Sequence, residues 1–136
     1  MTSKITYLGG LRTEAEHLKS GAKIVTDAPT DNNGKGEAFS PTDLVATALG
    51  SCMITIMGIA ARNHEIDMDG TEVTINKVMA SDPRRIGKVE VVITMPANDY
   101  SSKERKILEA AAGGCPVGRS VQEGIEDLTI VWKDDQ

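Results

Sequence analysis

Two patterns of hydrophobic and polar residues divide the chain. Residues 44–61 carry no charge and are apolar nearly all round, whereas the flanking segments show shorter apolar stretches broken by Gly and Pro. The first 28 residues predict three strands at 4–8, 11–18 and 22–27, separated by Gly9-Gly10 and Ser20-Gly21. Residues 30–37, rich in Asn and Gly, read as a loop. Ser40-Pro41-Thr42-Asp43 supplies an N-cap serine, a proline at the first helical position and an acid three residues after the cap. That is a capping box, and it predicts a helix from Pro41 to about Asn63. Residues 70–80 and 87–95 then predict two strands joined by a turn at 81–86. In the second, Val89, Val91, Ile93 and Met95 alternate with Glu90, Val92 and Thr94. In the first, Val78 breaks the alternation of Val73 and Ile75, which suggests a bulge. Ser101-Ser102-Lys103-Glu104 is a second capping box, opening a helix to about Ala112 with Ile107, Leu108 and Ala111 facing inward. A short helix over 116–123, ended by Gly124, and a last strand over 127–133 complete the order βββ-α-ββ-αα-β. This is an α+β chain, with an antiparallel-rich sheet of about six strands around a long buried central helix and two further helices.

A helix that is apolar on every side must be covered on every side. One sheet covers one face, so either the two later helices supply the rest or a second copy of the chain does. The second solution predicts an intimate homodimer. The same charge-free stretch reaches the length of a membrane span. Thr47, Gly50, Ser51, Thr55 and Gly58 make it a poor lipid helix, and no cationic cluster flanks it, so a buried core helix is expected. The opening Met-Thr-Ser-Lys lacks the pattern of a signal peptide. With two cysteines and no disulfide framework, a cytoplasmic protein is expected. The 136 residues suffice for a single domain spanning the chain, residues 1–136. With four aromatics, Tyr7, Phe39, Tyr100 and Trp132, its core should be aliphatic. A net charge of −5 argues against a nucleic-acid partner.

The chemistry rests on Cys52 and Cys115. Cys115 stands in Gly-Gly-Cys-Pro-Val, where it would cap a short helix with Pro116 at its first position. There the helix dipole would favour a thiolate; the alternative is a small residue filling a tight break between helices. Cys52 lies deep in the apolar helix, beyond the dipole's reach, where burial opposes ionisation unless a cation approaches. Alone it reads as a buried helix cysteine. Gly50 and Ser51 just before it weaken the helix but permit close approach of another backbone or a substrate. The spacing is no Cys-x-x-Cys turn, so the two sulfurs meet only if the short helix packs across the middle of the long one. Asp31-Asn32-Asn33-Gly34 imitates the start of a calcium loop, but Lys35 and Thr42 stand where ligands are needed. His17 and His64 are isolated, and no metal site or phosphate loop is expected.

Ser-Pro-Thr-Asp-Leu at 40–44, Ala-Leu-Gly-Ser-Cys at 48–52 and Ala-Gly-Gly-Cys-Pro-Val at 112–117 resemble the OsmC/Ohr family of osmotically inducible and organic hydroperoxide resistance proteins. The likeness runs from the first strands to the last. It implies an OsmC-like fold, an intertwined homodimer and two thiol-peroxidase sites at its interface. It implies that Cys52 is the peroxidatic cysteine and Cys115 the resolving one. Organic hydroperoxides would be the substrates, an external dithiol of lipoyl or thioredoxin type the reductant, and no cofactor would be needed. The family pattern also includes an arginine held by a glutamate ten residues before the first cysteine. Here that position is Thr42, and Asp43 beside it is the capping acid. Arg12, after Gly-Gly-Leu, is the candidate for the arginine; its alternative is a solvated strand residue. This pattern is closer to the OsmC-like branch than to Ohr proper. A rival reading keeps the dimer without catalysis, binding a small apolar or electrophilic ligand in the interfacial cleft, with the cysteines as relics or redox sensors.

Overall fold

The computed structural model describes residues 1–121 and 123–133. By its contacts the chain falls into two compact units, Met1–Val45 and Ala46–Gln136.

The first unit is an antiparallel meander of β1 (Ser3–Gly9), β2 (Arg12–His17) and β3 (Lys23–Asp27), in that spatial order. Gly9 and Gly10 both take positive φ at the β1–β2 turn, a conformation glycine adopts without a Cβ penalty. The register sets Ile5 opposite Ala15 and Ala15 opposite Ile24, with Tyr7 opposite Thr13 and Thr13 opposite Thr26. Side chains alternate along strands, so Ile5, Tyr7, Ala15 and Ile24 share one face, with Lys4, Glu14, Glu16 and Lys23 on the other. The loop after β3 carries a single 3₁₀ turn, Thr30–Asn32.

The predicted capping box opens α1 (Pro41–Asn63): the Ser40 amide donates to Asp43 Oδ2 at 3.0 Å, and the Asp43 amide to Ser40 Oγ at 3.1 Å. In the second unit β4 (Glu72–Ala80) pairs antiparallel with β5 (Arg85–Met95), which pairs parallel with β6 (Glu126–Trp132). The bulge expected near Val78 lies between Val78 and Met79. A parallel pair needs a crossover, and α2 (Ser102–Ala112) and α3 (Pro116–Ser120) form it. The six expected strands are therefore two sheets of three. The short helix ends at Ser120 rather than Glu123; Gln122, inside the expected span, lies outside the described residues.

The core of this unit unites Leu49, Met53 and Met57 of α1, Val89, Val91, Ile93 and Met95 of β5, and Leu108 and Ala112 of α2. Complete burial of each large side chain contributes on the order of 1.5–3 kcal/mol. It is mainly aliphatic, closed at one end by Trp132 edge-on to Tyr100, with Arg105 over the indole at 4.9 Å. The helix α1 is long and apolar enough to cross a membrane by length and composition, yet its inner stripe is a wall of this core. Only 33% of its most apolar window is buried within one chain. Val45, Ala48, Ser51, Thr55 and Ile59 form an exposed outer stripe, so the later helices do not cover it.

Candidate functional site

Cys52 stands half-buried on α1, packed against the core. Two residues earlier, Gly50 explains how the sheet comes so near. A Cβ there would lie 2.6 Å from Ile75 Cδ1 and 3.1 Å from Val73 Cγ1, so the gap is filled by side chains of β4.

Cys115 is the N-cap of α3, in extended backbone conformation before Pro116. Its sulfur accepts a hydrogen bond from the Gly118 amide at 3.1 Å. The residue is 2% exposed. Cys115 belongs to the buried core against which Cys52 packs, and Cys52 is near enough to act on the Cys115 thiol. The structure thus brings the two sulfurs together, both as free thiols.

The expectation that the helix start would ionise Cys115 does not hold. Its thiol is pushed above the ordinary range, first by burial and further by the proximity of Cys52 and Glu126. The Gly118 amide pulls the other way but loses. The physical reason is burial: the sulfur is withdrawn from water, and one amide at the start of a five-residue helix does not offset that. Burial thus favours Cys115 as a thiol.

The Glu126 carboxylate, from the first residue of β6, was not legible in the sequence. It reaches back over α3 and occupies the space a side chain at Gly118 would fill. A Cβ at Gly118 would lie against the Glu126 carboxylate oxygen and 3.2 Å from Cys115 Sγ.

Arg12 lies in the first unit, on β2. Its guanidinium makes two parallel bonds to Asp27 of β3, Nε to Oδ1 at 2.7 Å and Nη2 to Oδ2 at 2.8 Å. The Glu37 amide donates to the same carboxylate at 3.1 Å. Asp27 is 1% exposed and Arg12 about a third exposed. The bond to Arg12 holds the Asp27 carboxyl below the usual carboxylate range, and the same bond raises Arg12. Arg12 is therefore a clamped guanidinium, not a solvated strand residue. Its carboxylate partner comes from β3, where the sequence pattern pointed to the empty position at Thr42. Thr42 instead shares the helix cap, 3.2 Å from Ser40 Oγ. The missed signal was the hairpin: the β2–β3 register sets Arg12 directly opposite Asp27.

Among the described residues, no three His, Cys, Asp or Glu side chains converge as a metal would require. A groove of about 420 Å³ lies between the outer side of α1 around Ile59 and the segment 66–69, and neither cysteine lines it.

The model of the OsmC-like protein family matches residues 34–127. A Psychrobacter arcticus 273-4 protein, described as a candidate osmotic stress induced and detoxification response protein, is 51% identical, with 97% of this chain and 95% of that one covered, at a TM-score of 0.89. An organic hydroperoxide resistance protein OsmC of Legionella pneumophila is 20% identical over 97% and 96% of the two chains, at a TM-score of 0.68. One from Elizabethkingia anophelis is 17% identical over 97% and 95%, at 0.70. The last two share the fold. No curated protein matches the sequence.

Proposed function

The chain belongs to the OsmC-like family, and we propose that within it this protein is a thiol peroxidase that reduces organic hydroperoxides. The observation that carries this reading is the pair of free cysteines sharing one core, Cys115 buried in it and Cys52 packed against it. In the first step the Cys52 thiolate attacks the outer peroxide oxygen. The O–O bond breaks, Cys52 becomes a sulfenic acid, and the alkoxide leaves with a proton as the alcohol. In the second step the Cys115 sulfur attacks the Cys52 sulfur. An S–S bond forms, the S–O bond breaks, and the hydroxyl leaves with the Cys115 proton as water. An external dithiol of lipoyl or thioredoxin type then exchanges with the disulfide, is itself oxidised, and restores both thiols. Fold neighbours described as hydroperoxide resistance proteins support the substrate class. We assign Arg12 the role of activating cation, with Asp27 as the carboxylate that holds its plane. A guanidinium gripped at two nitrogens is fixed in orientation in a way a lone lysine is not.

The active form in this reading is a cytoplasmic homodimer, each chain a single OsmC-like domain. The family match runs across the boundary of the two units, which supports the single domain. Two apolar surfaces support the dimer. Ile5, Tyr7 and Ile24 on one face of the first sheet are 66%, 64% and 51% exposed, and Ile59 on the outer stripe of α1 is 54% exposed. Aligned apolar residues of this kind mark an interface.

Steady-state reduction of cumene hydroperoxide with dithiothreitol tests the proposal. Turnover in the native protein and its loss in Cys52→Ser are expected. A native protein without turnover would favour the non-catalytic, ligand-binding dimer instead.

A further inference from the structure

The exposed Glu126 carboxylate lies beside Gly118, as does a thiol whose proton has to leave during the cycle. Three features meet there. Gly118 has no side chain; the Glu126 oxygen takes up the vacated space; and Cys115 Sγ borders the same point at 3.2 Å while accepting from the Gly118 amide at 3.1 Å. Any larger residue at 118 would displace the carboxylate from this position. Around Cys115 the charged and titratable groups are Cys52 on α1 and Glu126 on β6, while Arg119 of α3 approaches the backbone at Gly114.

We propose that Glu126 is a positioning residue for Cys115: its charge, admitted by Gly118, adds to burial in keeping the resolving sulfur protonated until Cys52 has been oxidised. The inference rests on the peroxidase reading for its meaning. A like charge beside a thiol disfavours the thiolate, and the direction at Cys115 agrees with this. Two consequences follow. Of two adjacent sulfurs, Cys115 is kept from being the one that meets peroxide first. Its proton also stays on hand for the later condensation with Cys52. Once Cys52 is a sulfenic acid, the Cys115 proton leaves with the hydroxyl as water, and the balance needs no further reagent.

The test reads Cys115 directly and needs no peroxide. In a Cys52→Ser background, Cys115 alkylation by iodoacetamide is followed against pH for the parent, Glu126→Gln and Glu126→Asp. Glu126→Gln should lower the midpoint by about half a pH unit or more, with Glu126→Asp between the two. Gly118→Ala, which displaces the carboxylate, should move it in the same direction. An unchanged or raised midpoint in Glu126→Gln would overturn the assignment. Because this readout does not depend on turnover, an inactive native protein would contradict the peroxidase reading while leaving the Glu126 result interpretable. With Cys52 restored, Glu126→Gln should raise the neutral-pH alkylation of Cys115 in the reduced protein, a change that a purely structural role would not produce.

Discussion

At the residue scale, the two cysteines divide the work by environment. Cys115 is buried and accepts from one amide, and burial favours its protonated form. Replacing it with serine should leave the first oxidation intact but stop the cycle there. A dimedone adduct should accumulate on Cys52 in Cys115→Ser after peroxide, with steady-state turnover greatly reduced. Arg12→Lys should lower peroxide turnover by about tenfold or more, because a point charge cannot reproduce the two-pronged bond to Asp27. Unchanged kinetics in Arg12→Lys would remove Arg12 from the reaction. The sequence made Cys52 and Cys115 legible because each stands in a distinctive local context. It left Asp27 and Glu126 hidden, since both act on residues distant in sequence, and only strand register and the crossover bring them there.

At the scale of elements, local signals carried furthest. Both capping boxes, the alternation of β5 and the bulge in β4 depend on near neighbours, and all stand where the pattern set them. The division of the strands into two sheets, and the parallel docking of β6 on β5, depend on long-range pairing that periodicity does not encode. Ser40→Ala should cost about 1 kcal/mol in chemical denaturation, through loss of the cap on α1. Gly50→Val should cost about 1–3 kcal/mol, because its branches run into Ile75 and Val73. The β2–β3 pairing carries a pH signature. Since Asp27 titrates below its unfolded value, its bond to Arg12 contributes in full above the ordinary carboxylate range, about pH 4. That contribution is lost as pH falls through the depressed folded value. Urea unfolding followed through the acid range should show this loss, and Asp27→Asn should flatten it while lowering stability at neutral pH.

At the scale of the whole molecule, the charge-free helix and the first sheet pose the same problem. Each has one face supplied with partners or polar groups and one apolar face exposed, and in the proposed dimer a second copy of the chain would cover both. Sedimentation at micromolar concentration should give a dimer, and charge placed on the outer stripe of α1, as in Ile59→Glu, should weaken it. A stable monomer in the native protein would remove the argument from the helix. The account as a whole turns on the two sulfurs acting on peroxide as a pair. Peptide mapping of the reduced protein after a single equivalent of cumene hydroperoxide tests this most directly. The account predicts a Cys52–Cys115 disulfide formed in step with release of the alcohol; both thiols still open to alkylation, with the peroxide unconsumed, would contradict it.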